Sequence, residues 1–525
     1  MLDLGTTFLQ SVERSPHALA LVDCGVRLTY AQWHEQIGRT VAGLQRLGLG
    51  RGDRLLSVLQ NRHQAATLHW ACQFLGVVIV PLNWRAKADE IDYCLADAEA
   101  KAVFFEASSE EATRASGGAR ELPRIGVGTL ESSAATGDWE TLLAGPASPL
   151  QTAADAEDLS LMLYTSGTTG KPKGVPRRHR QERAAALAHV AQNLYRRGER
   201  TLGVMPLYHT MGVRSLLAMA LVDGVFVCMP RFDTQEALAL MEAERLTCLY
   251  LVPTLYHDLL TQRERAGHGS GPGPDIASVK KLGFAGAPMH DALLKRLQAA
   301  FEPELFVNHY GSSEVYTFSI DQHALDKPGS AGRAGINTRL RVVRLDASGV
   351  DDRVAPGVEG QIIADLRGDE AFEGYWKRED ANAKSLRSGW YFTGDTGYLD
   401  EDGDLFVTGR VDDMIISGGE NISPVDIESV ISLCPGVGEV AVAGLSDERW
   451  GQRVVAFVTT RDGGAPLDAH ALDAHCRSSD LPNFKRPREY VFVAEIPKSP
   501  VGKVLRRKLV AGEYTPLPAG EDRSA

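Results

Sequence analysis

Tyr164-Thr165-Ser166-Gly167-Thr168-Thr169-Gly170-Lys171-Pro172-Lys173-Gly174 is the stretch on which the reading of this 525-residue chain turns. It follows the apolar run of residues 159–163, short enough for a buried strand, and precedes an Ala- and Arg-rich segment of helical character, so the expected order is strand, loop, helix. Gly167, Gly170 and Gly174 let backbone N–H groups approach a ligand closely. The hydroxyls of Thr165, Ser166, Thr168 and Thr169 add donors, and Lys171 and Lys173 add charge. These are the parts of a phosphate cradle. It is not the common nucleotide P-loop, which needs Gly-Lys followed by Ser or Thr, because Pro172 follows Lys171. A solvated polar loop accounts for any one of these residues but not easily for the set.

Composition narrows the classes around that loop. The length suits more than one domain, each with its own core. Cys24, Cys72, Cys94, Cys228, Cys248, Cys434 and Cys476 are scattered, with no pair spaced like a metal or redox site, which fits a reducing cytoplasm. Met1 leads into polar and acidic residues, and no apolar run reaches the length of a bilayer span, so neither secretion nor a membrane span is expected. The net charge of −12 argues against a nucleic-acid partner. Residues 177–183 are locally basic and read chiefly as the solvated start of a helix. Composition does not fix oligomeric state, and a homodimer stays open.

Along the chain, residues 30–47 read as a helix, 54–59, 76–82 and 102–105 as strands with a helix between the first two, which implies a parallel α/β sheet. Residues 117–148, rich in Gly, Ala and Ser, read as loop and connector. A strand over 202–207 ends in Met205-Pro206-Leu207-Tyr208-His209. Residues 225–229 and 248–252 are further strands, and 263–274 a surface loop. Residues 424–434 and 469–478 read as helices, and 438–444 and 453–460 as strands, of a compact α+β unit.

Four further runs carry chemistry-bearing residues: Tyr310-Gly311-Ser312-Ser313-Glu314; Trp390-Tyr391-Phe392-Thr393-Gly394-Asp395 with Val407-Thr408-Gly409-Arg410; Val411-Asp412-Asp413-Met414-Ile415-Ile416-Ser417-Gly418-Gly419-Glu420; and Pro500-Val501-Gly502-Lys503. Each has a bland alternative. Ser313 and Glu314 fit the cap of a helix, and the basic residues near Lys503 fit a solvated tail.

Taken in order over essentially the whole chain, these runs resemble the adenylate-forming superfamily of acyl-CoA synthetases, peptide-synthetase adenylation domains and luciferases, with Ser313 standing where that family has Thr. The resemblance implies a large, multi-subdomain α/β region over residues 1–411 and a small mobile α+β lid over 412–525, hinged at Asp412. It also implies a two-step ligase: an acid and MgATP give an acyl adenylate and pyrophosphate, and the thiol of CoA then displaces AMP.

The implied roles follow the motifs. Thr165, Ser166, Gly167, Thr168, Thr169, Gly170 and Lys171 would cradle phosphates. Gly286, Ala287, Pro288, Tyr310, Gly311 and Ser313 would pass beside the adenine, Asp395 and Arg410 would hold the ribose, and Glu314 with Thr168 would hold Mg2+. Lys503 is the implied catalytic lysine, since a mobile ammonium between an attacking carboxylate and the α-phosphate stabilises the transition state. His209 is implied beside the acid, with Met205, Thr210, Met211, Gly286, His309, Gly311 and Tyr316 lining the acyl pocket. CoA would meet Arg85, Gly418, Gly419, Trp450, Phe484, Arg486 and Arg488; for the last three a solvated surface is the alternative.

The resemblance is greatest to the aryl-acid CoA ligases, so an aromatic carboxylate is expected. His309 and Tyr316 are departures, His309 standing where a halobenzoate-type ligase has an aliphatic residue, which suggests a polar ring substituent or a heteroaryl acid. Fatty or other small acids, loading of a carrier protein, a non-catalytic nucleotide binder and a luciferase-like oxygenase are the other readings.

Overall fold

A computed structural model describes residues 2–132, 134–165, 172–267, 273–289, 291–347, 349–461, 467–498 and 504–517. It is a mixed α/β structure with a large sheet-rich N-terminal region and a smaller C-terminal one.

Two large sheets carry the N-terminal region. In the first, Leu305–Tyr310, Lys281–Ala285, Cys248–Leu251, Arg200–Gly203, Val225–Cys228 and Leu19–Asp23 lie side by side in parallel, with short antiparallel strands at both edges. In the second, Arg124–Val127, Ala102–Glu106, Arg54–Val58, Val78–Pro81 and Leu159–Thr165 are parallel, and Lys173–Arg178 folds back antiparallel on Leu159–Thr165. Helices His63–Leu75 and Thr210–Leu221 are buried almost all round, as expected of helices apolar on every face, and they join one core that draws on both sheets.

A third sheet is built on Trp390–Leu399, which pairs with Gly360–Asp365, Leu386–Arg387 and Leu405–Arg410. Lys327 ties it to the first sheet's edge by reaching Asp400, Asp402 and Asp404 at 2.5, 2.8 and 2.7 Å. A 3-10 turn, Val411–Asp413, follows, and then a fourth sheet made from Ile415–Ser417, Glu420–Ile422, Val437–Asp447, Gly451–Thr460 and Glu489–Phe492. Among the described residues the hydrophobic clusters divide at this turn. Those around Ile427 and Phe457 contain only later residues, and the others only earlier ones. All seven cysteines are free thiols, and only Cys24 is exposed. Among the described residues no helix is long and apolar enough to cross a membrane.

Several expectations need correction. The expected strand, loop, helix is strand, loop, strand, helix, because Lys173–Arg178 pairs along its length with Leu159–Thr165 before helix His179–Gln192 begins. Pro176 is accommodated because this strand lies at the sheet edge. Residues 177–183 are not a solvated helix start, for Arg177 is fully buried and ion-paired at 2.8 Å to Glu182, itself buried. Residues 117–148 are not only connector. Arg124–Val127 joins the second sheet, its four residues too short for any period to show. The strand expected over 202–207 ends at Gly203, and His209 caps a helix instead of closing a strand. Residues 263–267 continue the helix Pro253–Gly267. No helix follows Ser313; the chain turns there and enters Ser319–Asp321.

Candidate active site

Strand Leu305–Tyr310 organises the site because neighbouring side chains on a strand point to opposite faces. Tyr310 points toward the third sheet, where its hydroxyl donates to Asp395 Oδ2 at 2.6 Å. Asp395 and Arg410 are direct partners across the antiparallel pair, and Arg410 Nη1 lies 3.2 Å from Asp395 Oδ1. Burial pulls the Arg410 guanidinium down, but Asp395 and the neighbouring phenols hold it above its ordinary range. Burial, then Asp395, push the Tyr310 phenol well up. Gly394 turns with φ +76°, and a Cβ there would sit 3.0 Å from Arg410 Nη2.

Glu314 lies four residues beyond Tyr310, past a turn that only glycine can make at Gly311, where a Cβ would fall 2.0 Å from Tyr316 O. Ser312 Oγ accepts from the Glu314 N–H at 3.2 Å. The Glu314 carboxylate is buried and accepts from Tyr375 Oη at 2.7 Å, and Tyr375 Oη stands 3.3 Å from Tyr391 Oη. Lys173 Nζ sits 4.1 Å above the Tyr375 ring. Burial draws the Lys173 ammonium below its usual range, against the pull of Glu314. Arg177 Nη1 donates to Glu314 O at 3.2 Å and to Glu370 O at 2.7 Å. The strand leaving the glycine-rich loop is therefore fastened to Glu314 from both ends. Thr165, at the loop's entry, pairs with Lys173; Ser166, Gly167, Thr168, Thr169, Gly170 and Lys171 lie outside the described residues.

The opposite face of the strand carries His309, fully buried. Met205, Thr210, Met211 and Tyr316 are also buried, and the turn at Gly286, Ala287 and Pro288 is open, with Gly286 at φ +86°. His209 caps helix Thr210–Leu221, its Nδ1 accepting from the Met211 N–H at 3.3 Å. Asn61 holds the segment before it, donating to Gly203 O and Met205 O at 2.9 and 2.6 Å and accepting from the Leu207 N–H at 3.1 Å. Tyr316 donates to Glu182 at 3.1 Å, and Arg177 stacks 4.0 Å from its ring.

The residues assigned to CoA fall into separate groups. Arg85 stacks 3.7 Å over Trp84 and lies close enough to Tyr208 to oppose the burial that pushes that phenol up to about 12. Trp450 packs against Gly418, where a Cβ would meet its ring at 2.8 Å, and Gly419 follows at φ +89°. Phe484 is exposed; Arg486, held by Asp473 at 3.4 Å, and Arg488 border a cavity of about 410 Å3 with His470 and Tyr490. Asp412 lies in the 3-10 turn, and Lys503 lies outside the described residues.

Sequence reasoning passed over Tyr375, Tyr391, Asn61, Arg214, Tyr250 and the inward role of Arg177. Two of these left a signal: Tyr391 sits inside the Asp395 run, and Arg214 stands one helical turn after Thr210.

Residues 8–376 match the family described as AMP-binding enzyme, and residues 426–503 match the AMP-binding enzyme C-terminal domain. The chain belongs to the AMP-binding enzyme family. A 4-chlorobenzoate–CoA ligase of Arthrobacter sp is 34% identical over 504 residues, 95% of this chain and 93% of that one. A long-chain-fatty-acid–CoA ligase of Mycobacterium tuberculosis is 32% identical over 521 residues, 97% and 98% of the two chains. The crystal structure of ATP-bound MatB from Rhodopseudomonas palustris superposes with a TM-score of 0.84 at 27% identity, covering 97% of this chain and 99% of that one. The protein is an AMP-forming acid–CoA ligase that uses a small-molecule carboxylic acid, ATP and CoA as substrates.

Proposed function

We propose that the acid is an aromatic carboxylate of the benzoate type, hydroxylated and heteroaryl rings included, activated as its acyl adenylate and passed to CoA. The observation that carries this reading is the division of labour along strand Leu305–Tyr310. Tyr310 faces the Asp395 carboxylate on one side, and on the other His309 stands among the rings of His189 and Tyr250, at 5.3 and 5.0 Å between centroids. An aromatic acid suits a ring-lined recess. The 4-chlorobenzoate ligase and a feruloyl-CoA synthase among the relatives, the latter 32% identical over 508 residues, support the same class.

In the first step Asp395, oriented by Arg410, accepts from the ribose hydroxyls while Tyr310 lies against the adenine. The loop residues from Thr165 to Lys171 hold the phosphates. Glu314, with Thr168, fits a magnesium ion: one buried carboxylate, half engaged by Tyr375, is the small protein share that this cation takes when phosphate and water supply its other oxygens. When bound, Mg2+ neutralises phosphate charge. His209 borders the acid, and Lys503 places its ammonium between the carboxylate and the α-phosphate.

The second step turns on the chain at Asp412, dividing residues 1–411 from 412–525. Support comes from the separation of hydrophobic clusters at the turn Val411–Asp413. Arg85 before the hinge and Gly418, Gly419, Trp450, Phe484, Arg486 and Arg488 after it then meet CoA together.

The test is pyrophosphate release with MgATP across benzoate, hydroxybenzoates, halobenzoates, furoate and medium-chain fatty acids, with and without CoA. One aryl acid should dominate and CoA should restore multiple turnovers. Dominance of a fatty acid overturns the aromatic assignment, and pyrophosphate release that CoA never accelerates makes a carrier protein the acceptor.

A further inference from the structure

The acyl side of strand Leu305–Tyr310 is faced by polar groups that no motif marks. His309 is 2% exposed, and its Nε2 lies 3.2 Å from Asn193 Oδ1. Asn193 Nδ2 lies 2.8 Å from the backbone carbonyl of His189 and 2.9 Å from His189 Nδ1. A carbonyl only accepts, so the amide nitrogen must face His189 and the amide oxygen must face His309. Burial, with Arg214 adding to it, pushes both imidazoles far below their usual range, so both are neutral. The tautomers follow. His309 carries its hydrogen on Nε2 and offers a lone pair at Nδ1; His189 accepts at Nδ1 and carries its hydrogen on Nε2. Neither His309 Nδ1 nor His189 Nε2 has a hydrogen-bond partner.

Arg214 adds a third unsatisfied group. It is 2% exposed, one turn along the helix from Thr210. Its Nη1 donates to Thr317 Oγ1 at 2.7 Å and to Tyr316 O at 3.3 Å, its Nη2 donates to the Tyr250 hydroxyl, and its Nε has no partner. Among the described residues no carboxylate comes within ion-pair distance of it. Glu370, whose charged form Arg214 favours, accepts from Asn337 at 3.1 Å through Oε1, and its Oε2 has no hydrogen-bond partner. The Tyr250 ring faces His189 and His309 at 4.8 and 5.0 Å, so all three groups converge on one aromatic ring.

This cluster offers one acceptor and two donors, each costly to leave buried and unpaired. A plain or halogenated ring end satisfies none of them. A carboxylate or an ether satisfies only donors. A hydroxyl, with one donor hydrogen and two lone pairs, matches the set. We infer that the activated acid carries a hydroxyl remote from its carboxylate, donating to His309 Nδ1 and accepting from Arg214 Nε or His189 Nε2. The inference rests on the acid–CoA ligase reading of the site and names the substituent which that reading leaves open.

The test measures kcat/KM for pyrophosphate release by the full chain on matched acids: benzoate, the three hydroxybenzoates, the three methoxybenzoates and the three benzenedicarboxylates, with hexanoate and 6-hydroxyhexanoate as an aliphatic pair. One hydroxy acid should exceed both its parent and its methoxy or carboxy counterpart by about 10^4-fold to 10^5-fold, the discrimination reached when buried polar groups are built for a substrate hydroxyl. In His309→Ile that ratio should collapse to within about tenfold, while His309→Asn, which keeps an acceptor oxygen, should retain part of it. Equal turnover of parent, methoxy and hydroxy acids overturns the inference and leaves these atoms to buried water. Dominance of a dicarboxylate overturns it in favour of an anion at Arg214. Preference for 6-hydroxyhexanoate over hexanoate with no benzoate turned over keeps the hydroxyl and discards the aromatic ring. Pyrophosphate release with no acid at all overturns the ligase reading and this inference with it.

Discussion

The Tyr310 hydroxyl donates to Asp395 Oδ2 at 2.6 Å, joining the end of a parallel strand to the middle of a separate antiparallel sheet. The aromatic ring proposed for adenine and the carboxylate proposed for ribose are therefore set relative to each other before any nucleotide arrives.

Asp395→Asn keeps the shape but gives up the ion pair with Arg410 and charge-assisted acceptance from two ribose hydroxyls. At about 1.5–3 kcal/mol for each hydrogen bond to a charged group, kcat/KM for ATP should fall by roughly 10^2-fold or more. Tyr310→Phe, which removes only the hydroxyl that orients the carboxylate, should cost about tenfold. Steady-state kinetics on ATP decides it, and an Asp395→Asn enzyme with wild-type kcat/KM removes the ribose role.

Glu314 and Tyr375 share a hydrogen bond of 2.7 Å, which leaves part of the carboxylate for a cation. Glu314→Gln should raise the Mg2+ concentration for half-maximal pyrophosphate release by an order of magnitude or more, since a hard divalent ion gives up a charged ligand. Tyr375→Phe should move the same midpoint less. Mg2+ titrations after chelation of the preparation distinguish the two. A midpoint unchanged in Glu314→Gln argues that the ion is held elsewhere.

Lys503→Ala should slow pyrophosphate release by several orders of magnitude while leaving CoA-dependent consumption of a preformed acyl adenylate much closer to wild type, because only the first step brings two anions together. Equal loss in both half-reactions would speak for a structural role.

The runs that define the candidate site can be picked out in the sequence because their residues travel together. The glycine-rich loop, Tyr310 to Glu314, and Asp395 with Arg410 each carry their spacing with them, and the strands that present them are apolar stretches bounded by turns. Arg177, Arg214 and Tyr250 were not legible. An arginine in a basic run carries no mark of burial; what draws Arg177 inside is Glu182, the Tyr316 ring and the carbonyls of Glu314 and Glu370, three of them from distant parts of the chain. Strand Lys173–Arg178 was hidden likewise, since its pairing with Leu159–Thr165 supplies the order that its own polar residues do not.

Arg177 and Glu182 form an ion pair in which neither side chain is exposed. Breaking such a pair from one side leaves an uncompensated buried charge, so Arg177→Met should cost about 3–5 kcal/mol. The double change Arg177→Met with Glu182→Gln should recover part of the loss. Urea unfolding of the three proteins measures it, and an Arg177→Met variant as stable as wild type would show that water reaches the pair.

Four buried histidines make stability depend on pH in a window of their own. Burial lowers His69 to about 3 and His179 to about 4, and takes His189 and His309 well below the usual value of 6.5. Between the folded and unfolded values the unfolded chain binds more protons, so stability is complete above about pH 6.5 and falls as pH drops toward the folded values. Each such histidine contributes a slope of about 1.4 kcal/mol per pH unit. Paired carboxylates such as Asp23 and Asp158, held below their ordinary range despite burial by His63 and Arg51 respectively, act only at lower pH. His69, whose Nε2 has no partner, gives the cleanest probe because it stands apart from the proposed acyl pocket. Replacing it in His69→Met should flatten the fall between pH 6.5 and 5 by roughly 2 kcal/mol. Urea midpoints across that range test this, and an unchanged slope would mean that the imidazole already carries its proton in the fold.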